Sequence, residues 1–114
     1  MALGVEPDRL LEVLRETIVG MVRREGPDLS ARQLAVMLIS DLEGGPHTVR
    51  ELTLRLNVPK PSISRGIDRL VELGLARRAP DPRDGRSILV QQTRKGADLM
   101  GELRQLLRTA MKSK

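Results

Sequence analysis

The stretch Asp81-Pro82-Arg83-Asp84-Gly85-Arg86-Ser87 lies between two short apolar runs, Leu75-Ala76 and Ile88-Leu89-Val90. Proline, aspartate and glycine favour tight turns, and apolar runs of this length are typical of short strands. The sequence therefore predicts a β-hairpin with strands over residues 75–78 and 87–92 and a charged tip that carries two arginines. Because an outward-pointing carboxylate would repel phosphate, we expect the two aspartates to pair with Arg86 or with neighbouring backbone amides.

The segment before the hairpin has the pattern of two helices joined by a tight turn. Thr48-Val49-Arg50-Glu51 is a capping box that begins the first of them, and Asn57 can adopt the left-handed conformation that ends it. A second helix is expected from about Lys60 to Gly74. A helix-turn-helix followed by a basic hairpin is a winged helix-turn-helix, a fold whose main partner is duplex DNA.

The second helix of this pair has one apolar and one polar, cationic face, as a helix that enters the major groove requires. Short serines let the backbone approach a phosphate or a base edge, Arg65 can bind guanine through two hydrogen bonds, and Arg69 is expected to bind the phosphate backbone. Gly66 would allow close packing or close approach of DNA. Arg83 and Arg86 suit the negative potential of a minor groove. The predicted DNA-binding residues are Lys60, Pro61, Ser62, Ser64, Arg65, Arg69, Arg83 and Arg86, and the predicted buried stripe is Ile63, Ile67 and Leu70.

Ordinary solvated faces also carry arginine and serine, and a hairpin can serve only to stabilise a domain. The distribution of charge favours a polyanion instead. Residues 1–54 hold six Lys/Arg and nine Asp/Glu, whereas residues 55–94 hold nine and four. Positive charge therefore collects on the second helix and the hairpin.

Two further helices flank this core. One runs from Pro7 to about Arg24, and the other follows a cap at Thr93 and reaches about Met111. Another capping box at Ser30 begins a helix that ends near Leu42. The expected fold is mainly α with a small β-hairpin, in the order four helices, hairpin, fifth helix. The apolar stripe of the first helix is Leu11, Leu14, Ile18, Met21 and Val22, widened by Leu10, Val13 and Thr17.

The chain has 114 residues and contains no Phe, Tyr, Trp or Cys. A core of aliphatic side chains in a domain of this size is modest, which raises the expectation of dimerisation. The lack of aromatics disfavours single-stranded nucleic acid, and the lack of cysteine excludes disulfides and thiolate metal sites. No signal peptide and no run of about 20 apolar residues is found, so we expect a cytoplasmic, nucleoid-associated protein without a membrane partner.

The chain resembles the MarR family of transcription regulators between about Leu29 and Gly96. The first helix-turn-helix helix of that family is similar to Thr48-Val49-Arg50-Glu51-Leu52, and its recognition helix is similar to the segment Pro59–Leu70. The wing string Asp81–Arg86, with Val90, Thr93 and Gly96 at the right distance after it, is the more specific match.

The resemblance implies a homodimer on a palindromic operator, with each recognition helix in a major groove and each wing in a minor groove. It implies a single domain whose residues 29–92 bind DNA and whose residues 1–28 and 93–114 are dimerisation helices. The expected function is sequence-specific regulation of transcription, as a repressor. A small-molecule effector is known for many members, but this chain offers no aromatics to line its pocket.

A protein-interaction adaptor that uses the winged fold, with the acidic first half as its docking face, is the alternative function. An enzyme is not expected, because His47 is the one histidine, no cysteine is present and no Gly-x-Ser-x-Gly motif accompanies it. No cofactor and no metal are expected.

Overall fold

Residues 6–112 form five helices and a small sheet in the computed structural model, which describes this part of the chain. The elements follow one another as α1 (Pro7–Arg23), α2 (Ala31–Leu42), β1 (His47–Thr48), α3 (Val49–Leu56), α4 (Lys60–Glu72), β2 (Ala76–Asp81), β3 (Asp84–Gln92) and α5 (Arg94–Lys112). The predicted winged helix-turn-helix, mainly helical with a β-hairpin, is confirmed.

The chain divides into two compact units. One is Leu29–Met100, which holds α2, α3, α4, the sheet and the first turns of α5. The other combines the described residues up to Asp28 with those from Gly101 onward, so that it consists of α1 and the rest of α5.

Local capping chemistry sets the helix boundaries of the Leu29–Met100 unit. Ser30 accepts a hydrogen bond from the Gln33 amide at 3.1 Å, and the Gln33 side chain accepts one from the Ser30 amide at 2.9 Å. The same reciprocal pair joins Thr48 and Glu51 at the start of α3. Asn57 has a φ of 53°, which ends α3 in the left-handed conformation. Both capping boxes and this helix end are confirmed.

The hairpin is longer and its turn is tighter than predicted. The strands were expected to end at Arg78 and to resume at Ser87, but their pairing continues to Asp81 opposite Asp84. The turn is therefore two residues, Pro82 and Arg83. A register shift between Pro80 and Asp81 accommodates the proline, which has no amide hydrogen to give to the ladder.

A third strand was not predicted. His47 pairs with Val90 and Thr48 with Leu89, so β1 adds to the hairpin in the order β1-β3-β2. Two residues are too few to show an alternating pattern, and the Gly-Pro sequence before them indicates a turn. The sheet ties the start of α3 directly to the base of the wing.

The core of the Leu29–Met100 unit is aliphatic. Leu52 of α3 is completely buried, and so are Ile67 and Leu70 of α4. The burial of the last two confirms the predicted inward face of α4. The N-terminus of α5 packs tightly against this core. A Cβ on Gly96 would lie only 2.3 Å from the Leu75 carbonyl oxygen, so this position has no room for a side chain. Thr93 caps α5 as predicted, accepting a hydrogen bond from the Gly96 amide at 3.1 Å.

In the unit formed by α1 and the C-terminal part of α5, glycine again permits close packing. A Cβ on Gly20 would lie 2.6 Å from a Leu106 methyl carbon. Val13 and Thr17 are the buried positions of α1, and the Thr17 hydroxyl donates to the Val13 carbonyl at 2.7 Å. Most of the predicted apolar stripe of α1 is open to solvent. Its exposed members are Leu10, Leu11, Leu14, Ile18 and Val22, with Met111 of α5 also exposed.

None of the helices between residues 6 and 112 combines the length and the apolar character that crossing a membrane requires.

Candidate nucleic-acid interface

Helix α4 begins where backbone geometry and proline chemistry fix its direction. Pro59 is the N-cap, and its carbonyl accepts hydrogen bonds from the Ser62 and Ile63 amides at 3.0 and 3.2 Å. Pro61 occupies the first turn, where a missing amide hydrogen leaves no bond unmade. Because Ile63 and Ile67 are buried, the opposite face of α4 is held outward.

The structure brings all the predicted α4 residues to this outward side. Lys60, Pro61, Arg65 and Arg69 are exposed, while Ser62 and Ser64 are half-buried. The small side chains leave the helix backbone accessible, and the long cations surround it. This arrangement suits a rigid reading helix that approaches base edges closely.

The two arginines of α4 differ in their hydrogen-bonding partners. Arg69 donates to a Glu72 carboxylate oxygen at 3.3 Å, one turn along the same helix. Arg65 has no hydrogen bond or ion pair to any residue between 6 and 112, and neither does the ammonium group of Lys60. A guanidinium without an internal partner keeps all five of its donors available to a ligand. Arg65 is therefore better prepared for an external anion or base edge than Arg69.

Gly66 lies in the middle of α4, where glycine is destabilising by about 1 kcal/mol relative to alanine. A Cβ added there would meet only the Gln33 Cγ, at 3.7 Å, which is ordinary van der Waals contact. Internal packing therefore does not require glycine at this position. Of the two explanations that the sequence allowed, close approach of an external molecule is the one that fits.

The wing tip is braced by its own aspartates, as the sequence predicted. Asp81 accepts a hydrogen bond from the Arg83 amide at 2.9 Å, and Asp84 accepts from the Arg86 amide at 3.0 Å. The Ser87 hydroxyl also donates to Asp84, at 3.1 Å. The carboxylates thus bind backbone amides, and the exposed guanidinium groups of Arg83 and Arg86 have no partner within residues 6–112.

An ion pair fastens the base of the wing to the recognition helix. Arg78 on β2 lies 2.6 Å from an Asp68 carboxylate oxygen and donates to the Ser64 carbonyl at 3.2 Å. Both acceptors belong to α4. This contact fixes the wing relative to the reading face, so the two cationic elements present one surface. Sequence reasoning assigned no role to Arg78.

A groove of about 480 Å³ runs between α3, the start of α4 and β3. Three cations from these three elements, Arg50, Lys60 and Arg86, line it around the apolar side chains of Leu54 and Ile88. Arg50 was not among the predicted DNA-binding residues. Its position depends on β3 lying beside α3, a long-range contact that no local pattern encodes.

A second ion pair holds α3 in place. Both terminal guanidinium nitrogens of Arg55 donate hydrogen bonds to the carboxylate of Glu43, one of them at 2.7 Å. The hydrogen bond from Arg55 lowers the pKa of Glu43 below its ordinary value, and the same contact raises the pKa of Arg55. The pair connects the C-terminal cap of α2 to the last turn of α3.

A helix-turn-helix, a braced wing and a shared cationic surface define a winged helix-turn-helix of the kind found in transcription regulators. The model of the MarR family matches residues 28–87. This chain belongs to the MarR family. The family consists of transcriptional regulators, which agrees with the expectation that the chain is not an enzyme.

Similar proteins support this assignment. An uncharacterized HTH-type transcriptional regulator of Mycobacterium bovis is 34% identical over 93 residues, which cover 82% of this chain and 64% of that protein. The chain thus spans about 64% of the length of this curated relative. The crystal structure of RV1404 from Mycobacterium tuberculosis is 25% identical with a TM-score of 0.75, covering 93% of this chain and 69% of its own.

A mutant MarR from E. coli complexed with operator DNA is 28% identical to this chain. Its TM-score is 0.65, and the similarity covers 88% of this chain and 66% of the MarR chain.

Proposed function

We propose that this chain is a sequence-specific regulator of transcription that binds double-stranded DNA as a homodimer on a palindromic operator. The observation that carries the proposal is the surface shared by α4 and the wing. Its cations Lys60, Arg65, Arg83 and Arg86 are exposed and have no partner among the described residues. Such a surface is complementary to a polyanion of regular shape, and a similar MarR protein has been crystallised with operator DNA.

The residues divide into those that read bases and those that hold the phosphate backbone. Arg65, in the middle of α4 and without a partner, binds guanine through two hydrogen bonds. The half-buried Ser62 and Ser64 contact base edges or the nearest phosphates, with Pro61 beside them. Lys60 and Arg69 bind phosphates, and Arg83 and Arg86 lie along the minor groove.

Arg50 joins the phosphate-binding group. It shares the groove of α3 and β3 with Lys60 and Arg86, where Asp84 is the one carboxylate in the lining. The Asp84 carboxylate already accepts two hydrogen bonds within the wing, which reduces its repulsion of a phosphate. Positive charge therefore prevails along this side of α4.

The dimer is proposed from the unit that contains α1. Five apolar side chains of that one helix are exposed, Leu10, Leu11, Leu14, Ile18 and Val22. Burying apolar surface stabilises association by about 25 cal/mol per Å². In a two-fold interface both copies of the chain bury the same side chains, so each residue contributes once from each copy. A second copy of the chain is the partner that symmetry offers to a face of this kind.

Repression follows from occupancy of the operator. A dimer that covers two successive major grooves and the adjacent minor grooves excludes other proteins from that DNA. The proposed location is the nucleoid, where the operator lies.

Selection of bound sequences from a random duplex library tests the proposal. We expect enrichment of a palindrome whose half-site centres are separated by about 10 bp, or a multiple of it, because one helical turn brings both recognition helices to the same side of the duplex. A random single-stranded library is the matched control and should yield no enriched motif. If neither library is enriched, and the double variant R65E/R83E binds duplex as wild type does, the chain is an adaptor rather than a DNA reader.

A further inference from the structure

A cleft on the other side of α4 carries one cation, Arg32, that the proposed interface does not include. It is open, has a volume of about 440 Å³ and lies between the first turn of α2 and the outward face of α4. Arg32 contributes from α2, and Arg65, Ser62 and Gly66 contribute from α4. No acidic side chain is among its lining residues.

Arg32 and Arg65 share this cleft without an internal counter-charge. Both are exposed, and neither has a hydrogen bond or an ion pair to any residue between 6 and 112. Other arginines of the same unit are paired, Arg55 with Glu43 and Arg78 with Asp68. Two unpaired guanidinium groups beside one cleft favour an anion, and a phosphate suits them because guanidinium binds it through two parallel hydrogen bonds.

The cap of α2 engages two of the backbone amides at the start of this helix. The Ser30 hydroxyl accepts from the Gln33 amide, and the Gln33 side chain accepts from the Ser30 amide. These two amides are therefore not available to an anion in the cleft, and its binding is attributed to Arg32 and the nearby charge of Arg65.

Gly66 keeps the cleft open. An added Cβ would contact only the Gln33 side chain within the protein, at 3.7 Å, so no internal contact demands glycine. A methyl group there would occupy space in the cleft itself, since Gly66 and Gln33 are both part of its lining.

We propose that this cleft binds a phosphate of the DNA backbone through two hydrogen bonds from Arg32, while the nearby charge of Arg65, whose donors read the base, adds to the attraction. The contact anchors α2 to the strand that borders the groove in which α4 lies, on the side away from the wing groove. It rests on the proposed function, since it extends the same interface, and it makes α2 a part of the DNA-binding surface. The open shape of the cleft suits a phosphate on a continuous backbone.

The test is a salt titration of the full chain on its selected duplex, comparing wild type with R32Q. Each phosphate contact contributes about −0.9 to the slope of log K against log salt. We expect R32Q to reduce the steepness of that slope by about 0.9 and to weaken binding about fivefold at 0.15 M salt. The loss should be equal for cognate and unrelated duplexes, because a phosphate contact carries no sequence information.

Two companion variants make the result specific. R94Q removes the same charge from an exposed arginine of the same unit that does not line the cleft, and it should leave the slope unchanged. R32K keeps the charge but loses the two-pronged geometry, so its slope should match wild type while its affinity falls between wild type and R32Q.

G66A should move stability and DNA binding in opposite directions. Alanine favours the helix, so we expect the Tm to rise by about 4 °C, whereas affinity for duplex should fall severalfold as the methyl group narrows the cleft. Unchanged affinity of G66A would contradict the role given to this glycine.

The outcomes separate this inference from the proposed function. A wild-type chain that binds no duplex overturns both. A wild type with a steep salt slope that R32Q shares overturns the phosphate site alone. If R32Q leaves DNA binding intact but abolishes a rise in Tm caused by inorganic phosphate, the cleft binds free phosphate, and the proposal of a DNA contact is wrong.

Discussion

The two compact units expose different kinds of side chain to solvent. In the unit of α1 and the C-terminal part of α5, the exposed side chains of interest are aliphatic, among them Leu11 and Leu14. In the Leu29–Met100 unit they are guanidinium groups without counter-charges, among them Arg32 and Arg65. An open apolar face favours another apolar face, and an open cationic face favours a polyanion. The difference supports the proposal that self-association and DNA recognition belong to separate parts of the chain.

Of the substitutions predicted here, one on the apolar surface of α1 should have the strongest effect, which is on dimer formation. L14E places a charge on the exposed stripe of α1, and in a two-fold dimer the substitution occurs twice. Because an unpaired buried charge is strongly unfavourable, we expect the dimer dissociation constant to rise by at least about 100-fold. Sedimentation equilibrium measures it.

L42E is the matched control, since Leu42 is more exposed than Leu14 but lies on α2. It should leave the dimer intact. If L14E and L42E weakened the dimer equally, or if neither weakened it, the assignment of α1 to the dimer interface would be wrong.

A smaller effect is expected from the cationic surface, and here paired and unpaired arginines can be compared. R65Q should weaken binding to the selected duplex by about 1–3 kcal/mol, roughly 5- to 150-fold, and relax the sequence preference at one base pair of each half-site. R69Q removes a guanidinium that Glu72 already engages, so a loss of about fivefold or less is expected, uniform over sequences.

Fluorescence anisotropy on duplexes carrying single base changes distinguishes the two arginines of α4. If R69Q were the more damaging substitution, the distinction between paired and unpaired arginines would be wrong.

Much of the fold could be predicted because its boundaries are local. The capping boxes at Ser30 and Thr48, the left-handed Asn57 and the buried stripe of α4 are all encoded within a few residues. Strand β1 could not be predicted, since two residues form a strand only because β3 lies beside them. The hairpin length was underestimated because Pro80 disfavours a strand until a register shift accommodates it.

The DNA-binding residues that could be predicted likewise came from one helix, α4, and from the turn of the wing. The outward residues of α4 follow from its helical period, and the wing arginines follow from the turn sequence. The roles of Arg32, Arg50 and Arg78 depend on contacts between elements distant in the chain. The pairing of Arg78 with Asp68 is likewise a contact between elements, whereas the pair of Arg69 and Glu72 is an i,i+3 contact within α4 that the helical period could have indicated.

The smallest expected effect concerns the ion pair of Glu43 and Arg55, which belongs to neither surface. The pKa of Glu43 is lowered in the folded chain, chiefly by its hydrogen bond from Arg55. A lowered folded-state pKa stabilises the fold at pH above the ordinary carboxyl value and loses that contribution as the pH falls through the folded-state pKa. The Tm difference between wild type and E43Q should therefore be present at neutral pH and vanish in acid, below the ordinary value of 4.5.

Thermal scans of both proteins between neutral and acid pH measure this difference. A difference between wild type and E43Q that persists unchanged in acid would show that the charge of Glu43 does not stabilise α3. DNA binding at neutral pH should be nearly equal for the two proteins, because the pair lies outside the proposed interface.

The unpaired cations on α2, α4 and the wing are proposed to hold the phosphates of duplex DNA. Binding of the wild-type chain to its selected duplex, measured between 50 and 200 mM salt, is the direct test of this proposal. With about 6–10 phosphates contacted, affinity should fall by about three to five orders of magnitude over that range. An affinity that does not change with salt would contradict the claim.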